Sequence, residues 1–364
     1  MMWRRRLFFL SFTLLLGSSA CHAILGLDEP VVADAGPDAD AGDERAPAEG
    51  DGSAEADVGP VGDGSNDVAV VDAGCWADVV LVDNTWEDLL NTPVPQPATA
   101  TGVSNRASYD ASVPGEVYDN VTKLTWLLEP DGGTSPSGTR ADAIAACASR
   151  GARLPTRMEL ITIQNWYPVD DATAGADQAV FPDTVEAYYW STTPTSSNVK
   201  WGWGVAFYTG GAGTNLGFDT AASLLRYRCV RGPAPSRPTH RYEISQACNI
   251  VRDNGTRLEW ERGRGKSGKY IQAEAYCQSL PPAGRNEWRV PTYSELSSLL
   301  YTKRENPAID TLAFETEQGN YWTSTLPNRA PNHRVVVPFS TGSTTDIRND
   351  DVPDLWARCV RTMD

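Results

Sequence analysis

The residues of this 364-residue chain whose types and spacing could do chemistry are its cysteines, its histidines and a few clusters of charge. Cys147 and Cys229 stand 82 positions apart, and so do Cys277 and Cys359. In an exported chain, an even set at repeated spacing reads as a disulfide framework. The expected bridges are Cys147–Cys229 and Cys277–Cys359, each tying an early helix to the last strand of its own half. Cys75 and Cys248 have no counterparts at that spacing. Pairing with each other would link the N-terminal segment to the second half, a possibility the spacing leaves open. No Cys-x-x-Cys occurs, which argues against a zinc ribbon or thioredoxin-like exchange. The folded part holds two histidines, His240 and His333, too few for a histidine metal cage or a histidine-based triad. No catalytic residue, metal or cofactor is expected, and the chain reads as a binding protein rather than an enzyme.

Other clusters have a plainer alternative. Gly263-Arg264-Gly265-Lys266-Ser267 resembles the end of a phosphate loop, but Trp260 stands where that pattern needs its first glycine, so a turn is the better reading. Around it, Arg262, Arg264, Lys266 and Lys269 could meet an anionic polysaccharide or simply be solvated. Asp119-Asn120 and Asp253-Asn254 offer oxygens that calcium would accept. They equally suit turns, because Asp and Asn side chains satisfy nearby backbone amides. Arg153 and Arg289 with Glu159 and Glu295, together with Arg228 and Arg358, suit an internal ion-pair scaffold better than a ligand rim.

What positions these residues is a tandem repeat. Asp119-Asn120-Val121-Thr122-Lys123-Leu124-Thr125-Trp126 returns as Asp253-Asn254-Gly255-Thr256-Arg257-Leu258-Glu259-Trp260. Arg153-Leu154-Pro155-Thr156 with Glu159 returns as Arg289-Val290-Pro291-Thr292 with Glu295. Tyr189-Trp190-Ser191-Thr192 matches Tyr321-Trp322-Thr323-Ser324, and Arg228-Cys229-Val230-Arg231 matches Arg358-Cys359-Val360-Arg361. In each copy the patterns predict a hairpin arm (120–126 and 254–260), a first helix (140–149 and 270–280) and a second helix. The second helix starts at a capping box, Thr156 with Glu159 or Thr292 with Glu295. Strands follow over 188–192, 201–208 and 225–231 and their second-copy equivalents. The fold class is α+β, with two helices and a mainly antiparallel sheet per copy.

Ahead of the repeat, residues 1–20 combine three arginines, an apolar run and small residues in the manner of a signal peptide. Ser18-Ser19-Ala20-Cys21 resembles the lipobox of bacterial lipoproteins, making Cys21 the expected lipidation site, with Ser18 where leucine is usual. Residues 21–74 form an expected disordered linker. From Leu27 to Gly74 there are fourteen Asp and Glu against Arg45 alone and no aromatic residue, so most of the net charge of −16 belongs to the linker. A large basic nucleic-acid footprint is not expected. The domains are then 75–232 and 233–364.

The four ordered blocks, repeated twice over about residues 105–231 and 238–362, resemble the Lcl C-terminal domain family. That resemblance implies a fold similar to C-type-lectin-like and formylglycine-generating-enzyme-like domains, in exported bacterial proteins that mostly lack an assigned activity. Adhesion to sulfated polysaccharide is attributed to the founding member, whose collagen-like Gly-X-Y repeats this chain lacks. The expected partner is an extracellular polysaccharide or a surface protein, with membrane contact through a lipid anchor alone and no nucleic acid. Alternatives are a structural envelope protein without a small ligand and an exported enzyme of the formylglycine-generating type.

The repeat also sorts candidates. Trp126, Trp190, Trp260 and Trp322 recur in pairs and are expected to fill the cores. Trp201 and Trp203 do not recur, their places being taken by His333 and Val335. The ligand-binding candidates are therefore Trp201, Trp203 and His333, together with Arg262, Arg264, Lys266 and Lys269.

Overall fold

The computed structural model describes residues 74–363, apart from 83–92, 97–104, 131–132, 166–174, 196–199, 209–215, 235–238, 282–287, 303, 328–331 and 341–345. The expected leader, Cys21 and the acidic linker up to residue 73 lie outside the described residues. No helix among the described residues is long and apolar enough to cross a membrane.

Each repeat is built from two small sheets and two helices. In the first, β2 (Tyr109–Asp110), β3 (Glu116–Asp119), β4 (Thr125–Leu127) and β10 (Val230–Arg231) form one antiparallel sheet in the order β10-β4-β3-β2. β5 (Ser137–Gly138), β6 (Tyr188–Pro194), β7 (Trp201–Ala206), β8 (Leu216–Asp219) and β9 (Leu225–Arg226) form the other, ordered β5-β9-β6-β7-β8. The helices are α1 (Arg140–Ser149) and α2 (Arg157–Thr162).

The second repeat follows the same plan. β11 (Tyr242–Ser245), β12 (Ile250–Asp253), β13 (Leu258–Glu261) and β19 (Val360–Thr362) make its first sheet. β14 (Ser267–Gly268), β15 (Asn320–Trp322), β16 (His333–Pro338), β17 (Asp346–Asn349) and β18 (Leu355–Trp356) make its second, with helices α3 (Tyr270–Ser279) and α4 (Tyr293–Ser297). All neighbouring strands run antiparallel except β6 with β9 and β15 with β18.

Two expectations are corrected. The segments 225–231 and 355–361 are not single strands: each splits into two short strands belonging to different sheets. Between them the chain turns inward so that Cys229 and Cys359 reach the first helix. The hairpin arms begin later than 120 and 254, because 120–124 and 254–257 are themselves the turns. Asp119 Oδ1 accepts from the backbone N–H of Val121 at 2.8 Å and of Thr122 at 3.2 Å, and Asp253 Oδ1 accepts from Gly255 at 3.0 Å. Lys123 and Arg257 both take φ 61°, the left-handed conformation that closes the loop. The Asp-Asn pairs are thus turn residues.

The two repeats share one hydrophobic core. Val117, Trp126, Leu160, Ile161 and Val230 of the first belong to the same buried cluster as Val251, Trp260, Leu296, Leu299 and Val360 of the second. Arg157, buried on α2, donates to the carbonyl of Ser297 on α4 at 3.2 Å. Smaller clusters fill the space between first helix and second sheet, one around Cys147, Trp190 and Cys229, the other around Cys277, Trp322 and Cys359.

Three disulfides close the unit: Cys147–Cys229, Cys277–Cys359 and Cys75–Cys248, with Cα–Cα distances of 5.3, 5.4 and 5.4 Å. The last settles the question that spacing left open. Beside it β1 (Val79–Val82) pairs with β11, adding a fifth strand to the second repeat's first sheet. Arg252 stacks over the Trp76 ring at 3.5 Å. Residues N-terminal to the first repeat are therefore fastened to the second. Bridges of this kind place the folded part in an oxidising, extracytoplasmic compartment.

A shared core makes the repeats unfold together. Calorimetry of the oxidised protein should show one transition, and two separated transitions would contradict the shared core. Closing an 82-residue loop is worth about 4 kcal/mol in the chain-entropy model. Replacing Cys147 and Cys229 together by serine should lower the unfolding free energy by about that amount in urea titration.

Candidate functional site

Residues common to both repeats are consumed by the scaffold. Thr156 caps α2 by accepting from Glu159 N at 3.1 Å, while Glu159 accepts from Thr156 N at 2.8 Å. Arg153 closes on the same carboxylate with two bonds, of 2.6 and 2.8 Å. Thr292, Glu295 and Arg289 repeat this arrangement, with arginine bonds of 2.6 and 2.7 Å. Gln96, from the segment before the first repeat, adds a 2.7 Å bond to Glu295. Burial would push the Glu295 carboxyl up, but Arg289 and the Thr292 donors outweigh it and hold the pKa below the usual glutamate value.

Arg228 and Arg358 stand apart from those pairs. Arg228 donates to Asp183 at 2.7 Å and Thr184 at 2.6 Å, both buried. Arg358 donates to the carbonyls of Glu261, Gly263 and Glu315. The paired tryptophans Trp126, Trp190, Trp260 and Trp322 are fully buried, and the indoles of Trp190 and Trp322 donate to Gly138 O and Gly268 O at 2.9 and 2.8 Å.

The candidates separate. Trp203 is 4% exposed, with the Arg157 guanidinium 6.0 Å from its ring centre, so its face is closed to a ligand. Trp201, first residue of β7, is 41% exposed and lies opposite Asp219 of β8. Its ring edge rests where a side chain on Gly217 would project, since a Cβ there would come within 3.1 Å of Trp201 Cε3. His333, first residue of β16, holds the corresponding place in the second repeat, opposite Asn349 of β17.

The basic cluster is divided and paired. Arg262 bonds Glu315 at 3.1 Å and Arg264 bonds Glu317 at 2.8 Å, in the stretch leading to β15. Lys269 bonds Asp351 at 3.1 Å at the start of α3. Lys266 is exposed, and its carbonyl accepts from Ala357 N at 2.9 Å. Gly265 has φ +76°, and a Cβ there would sit 1.8 Å from Ala357 O, so this glycine serves backbone packing as a turn residue.

Lys269 and His333 do converge, at the corner where β16 begins, β17 ends and α3 starts. Two further residues complete that corner: Arg334, whose guanidinium stacks over the Tyr270 ring at 4.1 Å, and Asp350, 3.6 Å from Arg334 Nη2. The first repeat's corner inverts this arrangement. There Arg140 starts the helix and Gly202 holds the strand position. A Cβ on Gly202 would lie 3.0 Å from the Arg140 side chain. Arg140 donates to Ser191 O at 2.9 Å and also to Thr192 O. Sequence reasoning passed over Arg140, Arg334 and Asp350. The available signal was their failure to recur, as Tyr270, Gly202 and Thr220 stand in their places.

The scaffold and the corners should respond differently to substitution. E295Q leaves Arg289, a third exposed, without its buried anionic partner and should cost about 1–3 kcal/mol. A carboxyl whose folded pKa is depressed stabilises above its unfolded value of about 4.3, and the contribution is lost as pH falls through the folded pKa. The wild-type melting temperature should therefore drop on acidification below that range, with a shallower drop in E295Q. W201A should cost less, no more than about 1–2 kcal/mol, because much of its ring already faces solvent.

The Lcl C-terminal domain model matches residues 115–231 and 249–361. These two segments fall within the repeats and begin about ten residues inside the limits expected from the motifs. No curated protein matches the chain. With both repeats matched over more than half its length, the chain belongs to the Lcl C-terminal domain family as a tandem pair.

Proposed function

We propose that this protein is a non-enzymatic recognition protein of the cell envelope, whose two C-type-lectin-like modules bind an extracellular glycan, with Trp201 as the principal contact of the first. The carrying observation is the exposure of Trp201 at a corner where the two copies diverge. An indole held on a rigid strand offers a flat apolar face to a sugar ring at small entropic cost, and tryptophan commonly dominates binding energy. The pairing of all six cysteines of the folded part in disulfides supports a structural role for them over thiol chemistry of the formylglycine-generating type.

Lipidation at Cys21 would hold the folded part at the membrane surface, and the acidic segment would act as a self-repelling spacer. A glycan array probed with the oxidised protein should show retention on a defined set of sugars. W201A should weaken it by about 2 kcal/mol, roughly 30-fold in Kd. An array on which the wild type retains nothing would overturn the proposal.

A further inference from the structure

We infer that the corner of the second repeat is a second, chemically different sugar site, in which Arg334 and Asp350 grip the hydroxyls of a neutral sugar. The inference rests on the glycan-binding reading above and extends it to a ligand class. Elsewhere in the fold, arginine–carboxylate pairs are tight. Arg241 meets Asp253 at 3.0 and 2.8 Å, Arg361 meets Glu259 at 2.6 Å, and Arg153 and Arg289 close on their glutamates at 2.6 Å. Arg334 and Asp350 form a longer ion pair, 3.6 Å apart, with side chains 15% and 28% exposed. Arg334 Nε and Nη1, Asp350 Oδ1 and the adjacent His333 Nδ1 are all buried without a hydrogen-bond partner among the described residues. A buried polar atom without a hydrogen bond is destabilising, and native structures carry few of them. Groups in that state are satisfied by water or by a ligand.

The corner's chemistry selects among ligands. A hydroxyl both accepts from a guanidinium and donates to a carboxylate, and neighbouring hydroxyls on a sugar ring do so in concert. An anion would meet Asp350, Asp351 and Glu274, and a cation would meet Lys269, Arg334 and Arg348, which lies opposite Arg334 in the sheet, so a neutral polar ligand fits best. Both gripping groups are held in advance. Arg334 is stacked on Tyr270, whose hydroxyl donates to Glu274 at 3.0 Å. The Asp350 backbone is fixed by bonds from its N–H to Asn332 O at 2.8 Å and from Tyr270 N to its carbonyl at 3.0 Å. Such preorganisation lowers the entropic cost of binding. The first repeat lacks this pair, having Gly202 and Thr220 at those positions while Arg140 serves the Ser191 and Thr192 carbonyls.

The test is binding of the full chain to mannan, galactan and dextran, with polygalacturonate as the acidic comparison. R334Q, D350N and W201A are measured alongside the wild type. Neutral-polymer affinity should fall at least tenfold in R334Q and in D350N, with unchanged melting temperature. D350N, isosteric and placed at a turn, carries the test should R334Q fail to fold. Wild-type affinity retained in D350N, or binding confined to polygalacturonate, overturns the second site. Loss in W201A but not in D350N leaves the first-repeat reading standing without it. Absence of binding to any of the four polymers and to the glycan array overturns both.

Discussion

Each repeat is organised around one buried carboxylate. Glu159 and Glu295 close the amino end of a very short helix, which has too few turns to be stable alone and depends on its cap and its packing. The same carboxylate binds Arg153 or Arg289, whose backbone pairs with Val230 or Val360 in both directions. Those valines adjoin Cys229 and Cys359. A charge in the interior is tolerable only when fully bonded, so cap, ion pair, last strand and disulfide have to form as a set. The helices so fixed, α2 and α4, bring the two repeats into one core.

Because that set is identical in both copies, it is indifferent to ligand. Among the ligand-binding candidates, Trp201, His333 and Lys269 lie at the corner where the second sheet meets the start of the first helix, and there the copies differ. The exchange there is reciprocal: arginine from the helix and glycine from the strand in one repeat, tyrosine from the helix and arginine from the strand in the other. Either choice fills the gap between helix and sheet. In the first repeat the guanidinium is spent on main-chain carbonyls and an indole faces outward, whereas in the second it stacks on Tyr270 beside a carboxylate. Duplication followed by divergence at a packing gap can thus produce two surfaces on one scaffold.

The arrangement of the N-terminal segment adds asymmetry. β1 extends the second repeat's sheet, and Cys75–Cys248 encloses the first repeat within a covalent loop. Gln96 extends the same attachment through its bond to Glu295.

Much of this was readable in the chain alone. Disulfide spacing, capping boxes, the Asp-Asn turns and the buried tryptophans are local or periodic features, and a feature that appears twice identifies itself as scaffold. The sequence by itself therefore determined two α+β units, their internal bridges and the division between shared and unshared residues. It did not determine that 225–231 divides between two sheets, because sheet membership depends on partners distant in the chain. Nor did it determine that Trp203 is buried while Trp201 is exposed, since alternation along one strand does not say where the covering helix ends. The pairing of Arg334 with Asp350 was invisible for the same reason: which charges stand side by side is settled only after the chain has packed.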